Sequence, residues 1–148
     1  MIRKMTSADH DVFLNMMDTF YHSEAVLHTI PRSTMERCFR DACDDGNPFV
    51  DGYILDDNGA IAGFALVAKG YSTEAGGICV QIEDLYLDEA FRGRGLGREL
   101  FEYLQRTYAG VARRLRLEVE CSNTEAQRLY KRLGFKELPY MQMVKDSD

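Results

Sequence analysis

"IEDLYLDEAFRGRGLGRELFEYL", residues 82–104, joins an apolar, strand-forming run to a helix-like repeat through "FRGRGLG", seven residues holding three glycines and two arginines. Upstream, Ile82, Leu85, Tyr86 and Leu87 suit a pleated, half-buried strand. Downstream, Leu96, Leu100, Phe101 and Leu104 recur at helical spacing and predict an inward stripe. Glycine lets the backbone turn and leaves no Cβ in the way, so successive N–H groups can converge on a pyrophosphate. The helix that follows adds unpaired amino-terminal donors and a partial positive charge. Arg92, Arg94 and Arg98 could supply further charge in bidentate geometry.

Other glycine loops fit less well. A dinucleotide fingerprint needs G-x-G-x-x-G, and here Arg98 stands at the third required glycine after Gly93 and Gly95. No Gly-Lys-Ser/Thr follows, so the P-loop fails too. What stands is Arg92-x-x-Gly95-x-Gly97 between a strand and a helix.

Outward from the loop, the elements alternate. Ile2 to Met5 predicts a first strand, and Ser7 to His22 a helix with Val12, Phe13, Met16, Met17 and Phe20 on one stripe. Ser33 and Glu36 have capping-box spacing before a helix carrying Met35, Cys38, Phe39 and Ala42. Two strand-like runs flank Asn58-Gly59, a hairpin signal because both central residues of a type I′ turn need positive φ. "RLRLEVEC" alternates as a strand. "SNTEAQRLYKRLGF" predicts a helix capped by Ser122 and Glu125, striped by Ala126, Leu129, Tyr130 and Leu133, and stopped at Gly134. The tail "MQMV" is expected to form one last strand.

The 148 residues suit one domain, 1–148. No apolar run approaches the roughly 20 residues a bilayer crossing needs, so no membrane partner is expected. The amino terminus lacks the apolar block of a secretory signal, and a cytoplasmic location is expected. A net charge of −6 argues against nucleic acid as a partner. The charge is uneven: residues 1–90 hold 16 acidic and 6 basic side chains, residues 91–148 hold 8 acidic and 12 basic. That polarity suits an anion on the carboxy-terminal half and a cation near the other. Cys38, Cys43, Cys79 and Cys121 lie at irregular intervals and the three histidines lack ligand spacing, so no metal is expected and the thiols read as small buried hydrophobes.

"IEDLYLDEAFRGRGLGRELFEYL" together with "LEVECSNTEAQRLYKRLGF" resembles the GCN5-related N-acetyltransferase (GNAT) superfamily, whose R/Q-x-x-G-x-G/A loop and Asn-x-x-Ala-x-x-x-Tyr helix are matched by Arg92, Gly95, Gly97 and by Asn123, Ala126, Tyr130. The resemblance implies an α/β fold with a mixed, mostly antiparallel central sheet whose parallel central strands splay apart, flanked by helices. It implies acetyl-CoA as cosubstrate and an amine as acceptor, and dimers are frequent in the family. Carried over by position, the main chain of Leu85, Tyr86 and Leu87 would pair with the pantetheine arm. Arg92, Gly93, Arg94, Gly95, Leu96, Gly97 and Arg98 would hold the pyrophosphate, and Asn123 and Ala126 would touch the cofactor from the other side. An N–H near Leu85 or Tyr86 would polarise the thioester carbonyl.

An alkylammonium with a pKa of about 10.4 needs a base before it can attack. Glu83 is the first choice, with Glu118 and Glu120 in reserve; by alternation Glu83, Leu85 and Leu87 share one face, Asp84 and Tyr86 the other. Tyr130 stands where the family keeps the acid that protonates the departing thiolate. The acid-rich first half, with Asp41, Asp44, Asp45 and Asp51, favours a small cationic amine as acceptor, ahead of a protein amino group. A non-catalytic acyl-CoA sensor and a nucleotide-binding module are the readings outside this class.

Overall fold

The computed structural model describes residues 1–147. Its elements run β1 (Ile2–Lys4), α1 (His10–Tyr21), α2 (Arg32–Cys43), β2 (Val50–Asp57), β3 (Ala60–Ser72), β4 (Gly77–Leu87), α3 (Leu96–Thr107), β5 (Ala112–Leu117) and α4 (Thr124–Arg132). The five strands form one sheet in chain order, antiparallel throughout except for the parallel pair β4–β5.

Helices cover both faces, which is why the middles of β2 (Tyr53–Leu55) and β3 (Ala62–Val67) are apolar without a break rather than alternating. On one face α1 and α2 bury Phe13, Met17, Met35 and Phe39 against Ile54, Phe64 and Leu66. On the other, α3 buries Leu100, Phe101 and Leu104 against Leu55, Ala65, Val67, Val80 and Ile82. At β1, Arg3 grips the buried Asp9 carboxylate with both guanidinium nitrogens, at 2.8 and 2.7 Å, and so ties the first strand to the turn that opens α1. The fork of Arg3 and the Thr6 donors hold that carboxyl below the usual range, against the effect of burial.

The hairpin forms as expected, with Asn58 at φ 56° and Gly59 at φ 89°. The close approach of β3 to β4 depends on Gly63: a Cβ there would sit 2.1 Å from the Tyr86 carbonyl oxygen. α4 differs from α3 in that none of its residues is fully buried.

Several expectations give way. α2 starts at Arg32 behind Pro31, whose carbonyl accepts from the N–H groups of Thr34 and Met35, so Ser33 lies inside the first turn and caps nothing. Glu36 is instead held by the His10 ring at 2.8 Å. The cap of α4 is Asn123, whose Oδ1 accepts from the Ala126 N–H, while Ser122 donates to Glu120. β5 stops at Leu117 instead of running to Cys121, because β4 and β5 part there. The tail forms no strand: Met141 and Met143 are about nine-tenths exposed. β5 therefore lies at the rim of the described sheet. All four cysteines are free thiols, and none is buried as expected: Cys38, Cys43 and Cys79 are half-buried and Cys121 is exposed.

Candidate active site

The parallel register runs from Ile78 opposite Ala112 to Ile82 opposite Leu117 and ends. At the same level β4 is irregular on its other side: Val67 pairs with Ile82 and Leu66 with Asp84, leaving Glu83 as the unpaired residue of a bulge. A bulge re-aims side chains at the point where pairing stops. Here it turns Glu83 and Leu85 into the gap between the parted strands, and Asp84 toward α1. The alternation expected from sequence holds.

The gap is a narrow cleft of about 70 Å³. Ile82, Glu83 and Leu85 form one wall, Leu117, Glu118, Val119 and Glu120 the other, Asn123 and Tyr130 of α4 close one end, and Phe20 and Ala25 approach from the α1 side. Past Ile82 the backbone of β4 pairs only with β3. The Asp88 N–H donates to Ala62 of β3 and the Leu87 carbonyl accepts from the Arg92 side chain. By alternation Leu85 and Leu87 turn their N–H and C=O toward the gap, whereas Tyr86 spends its own on β3.

The carboxylates around the gap differ in their company. Partial desolvation at the cleft wall raises the pKa of Glu83, which is otherwise exposed; the charge of Glu118 adds to the rise, and Arg116 opposes it. Glu118 is positioned by two amide donors, Gln81 at 3.1 Å and Gln142 at 2.7 Å. Glu120 is engaged by the Ser122 N–H at 2.6 Å and its hydroxyl at 3.1 Å, a local turn that holds the start of α4. Asp84 receives the Tyr21 hydroxyl at 3.1 and 3.2 Å. Burial pushes the Asp84 carboxyl up to about 6; the Tyr21 hydrogen bond works against that and the charge of Glu83 with it.

Tyr130 reaches the cleft with its ring edge-on to Phe101 at 5.6 Å and near Phe135 at 6.1 Å. Its hydroxyl has no protein partner among the described residues, and burial raises its pKa. Tyr130 and Glu83 thus stand on different elements and face one gap.

The glycine loop lies between β4 and α3. Gly93 at φ 74° and Gly95 at φ 86° are left-handed, a conformation that costs residues with a Cβ. Gly95 sits at the N-cap of α3. Among the described residues the main-chain N–H groups of 93–98 donate to no protein group, which leaves a row of amides for an anion. The arginines divide. Arg92 folds back to the Leu87 carbonyl at 3.0 Å, and Arg94 binds Asp57 of the β2–β3 hairpin at 2.9 Å with its guanidinium over the Phe91 ring. Both shape the loop; Arg98 alone among them makes no ion pair among the described residues. Gly97 faces α4, with Leu129 Cδ2 at 3.5 Å from where a Cβ would be.

Sequence reasoning missed Tyr21, Gln142 and Gly63. Only Gly63 carried a signal, as a glycine inside an apolar strand run, where close approach of another backbone is a common cause.

The chain matches the model of the acetyltransferase (GNAT) family over residues 14–135. It is 35% identical over 119 residues to the ribosomal protein bS18-alanine N-acetyltransferase of Escherichia coli K12, spanning 79% of this chain and 72% of that one. Among solved structures it resembles the aminoglycoside acetyltransferase AAC(6')-Iy bound to a CoA bisubstrate analogue, with a TM-score of 0.79 at 19% identity over 100% of this chain and 98% of that one. A ribosomal-protein-alanine N-acetyltransferase from Brucella melitensis biovar Abortus 2308 gives 0.77 at 14% identity over 99% and 98%.

Proposed function

The chain belongs to the acetyltransferase (GNAT) family and is an acetyl-CoA-dependent N-acetyltransferase, and from that premise we propose direct transfer to a primary amine, with Glu83 as base and Tyr130 as acid. The observation that carries this reading is the parting of β4 from β5 with those two side chains on its walls.

The amides of residues 93–98 hold the pyrophosphate, and the inward N–H and C=O groups of Leu85 and Leu87 align the pantetheine arm like an added strand. The amide side chain of Asn123 and the start of α4 at Ala126 flank it. The Leu85 N–H is the donor placed to polarise the thioester carbonyl. Glu83, raised by partial desolvation, takes a proton from the incoming ammonium, through water; a carboxylate lifted toward the working pH is the better acceptor. Tyr130 then returns a proton to the departing thiolate. With a thiol pKa of about 8.5 against a phenol near 10 that burial raises further, full transfer is uphill, so Tyr130 acts by donating its proton along a hydrogen bond as the C–S bond breaks.

Within the acceptor class, the relative that acts on a ribosomal protein's alanine supports a protein amino group. The acids that favoured a small cationic amine do not line the cleft: Asp51 and Asp45 are paired with Lys4, Asp51 also with Lys69, and Asp41 with Arg40.

The test is thiol release from acetyl-CoA over a panel of peptides and small amines, with Tyr130→Phe beside the native chain. Removing the phenol proton while keeping the ring lowers kcat about tenfold or more; near-normal turnover overturns the acid role. Cofactor binding by calorimetry without thiol release for any amine assigns the chain as a sensor instead.

A further inference from the structure

A second and larger cavity, about 360 Å³, opens beside the cleft. β3 contributes Lys69, β4 contributes Cys79 and Gln81, β5 contributes Arg114 and Arg116, and Tyr140 of the tail closes it. Register places Arg114 opposite Cys79 and Arg116 opposite Gln81. The two spaces share a wall, because Gln81 lines the larger one and donates to Glu118, which lines the cleft. Along β4, Gln81 stands two residues from Glu83, about 7 Å of strand, and Cys79 about 13 Å.

This cavity is basic in an acidic protein. Arg116 pairs with no carboxylate among the described residues. Arg114 has only Glu74 at 3.6 Å, beyond hydrogen-bonding distance. Lys69 is held by Asp51 at 2.8 Å, and Glu74 is the one carboxylate among the lining residues. A guanidinium that is half-buried in a concavity is weakly screened, so an anion there gains more than on an open surface. Its planar fork also fits a carboxylate in bidentate fashion.

We infer that this cavity is an acceptor subsite that takes a carboxylate side chain of a polypeptide, two to four residues behind the amino terminus presented to Glu83. An extended peptide advances about 3.4 Å per residue, so Arg116, opposite Gln81, lies about two residues behind the amino group and Arg114, opposite Cys79, about four. The combined length exceeds a small amine and suits a peptide. The inference rests on the acetyltransferase reading above and names its acceptor: a protein amino terminus followed closely by Asp or Glu.

The experiment uses neutral peptides with a free amino-terminal alanine and Glu, Gln or Lys at residues three to five. It reads kcat/KM by thiol release, and binding by anisotropy of carboxy-terminally labelled peptides without acetyl donor. The Glu peptides exceed the Gln peptides about tenfold in both readouts, with Lys lowest. Arg114→Gln with Arg116→Gln brings the Glu-to-Gln ratio close to one, and Arg116→Lys retains part of it. Equal rates, a Lys preference, or a Glu preference that survives the double change overturns the subsite. Free glutamate turning over as well as the Glu peptides overturns the assignment to polypeptides. If no amine releases thiol, the enzymatic reading fails on its own, and anisotropy still decides the subsite: charge-selective binding lost in the double variant supports it, and its absence sinks it.

Discussion

Asp51 on β2 and Asp84 on β4 are aspartates of one sheet, each drawn out of water, and their surroundings are opposite. Asp51 meets Lys69 at 2.8 Å, Lys4 at 3.3 Å and the Tyr108 hydroxyl at 2.6 Å, and Tyr108 in turn shares a hydrogen bond with Tyr53. Burial would raise its carboxyl, but these partners outweigh that and lower it. Asp84 has one neutral donor, Tyr21, and a second carboxylate as its neighbour, and it rises to about 6. A fold compensates a charge it uses as a fastener. It leaves uncompensated the charges it keeps for chemistry or for an incoming cation.

The sharpest way to break this comparison is at Glu83, the other uncompensated acid. Glu83→Gln keeps the shape and removes the proton acceptor, and kcat/KM falls about 100-fold. Glu118→Gln costs less than about tenfold, and a reversed order in thiol-release kinetics would hand the base role to Glu118. Next, Asp51→Asn lowers unfolding stability by about 2 kcal/mol at neutral pH, since Lys69 and Tyr108 lose a charged partner. Because the folded pKa is depressed, that stability is present above the ordinary value of 3.8 and is lost as pH falls through the folded pKa. Urea titrations of the two proteins should therefore converge in acid. The smallest effect has the opposite sign. Asp84 has a raised pKa, so the native chain loses stability as pH climbs from 3.8 to about 6. Asp84→Asn, still able to accept from Tyr21, is more stable by about 1–2 kcal/mol at pH 7.5 and gains nothing near pH 4. A variant weaker at every pH would make Asp84 a fastener like Asp51.

Much of this is legible in the sequence alone. Asn58-Gly59 fixed the hairpin through φ alone, and the glycine loop declared itself through spacing. The face-sharing of Glu83 and Leu85 followed from period-two alternation, although the bulge that enforces it left no trace in the residues. What stayed hidden lies in contacts distant along the chain. Tyr21 and Asp84 meet across 63 residues, Arg94 and Asp57 across 37. An arginine in a phosphate-binding loop gives no hint that a hairpin carboxylate has already claimed it. Capping boxes failed for local reasons: α2 begins directly behind Pro31 with no side-chain cap, which puts Ser33 inside the first turn, and Asn123, one residue past Ser122, caps α4.

The helix that carries Tyr130 rests on the body by half-covered side chains, whereas α3 is anchored by the fully buried Leu100 and Leu104. The phenol therefore sits on the one helix of the four described that buries no residue fully, at the edge of the gap. Filling that gap is what gives α4 a second surface to lean on. Under the proposed mechanism, arrival of the thioester and arming of the proton source would then be a single event.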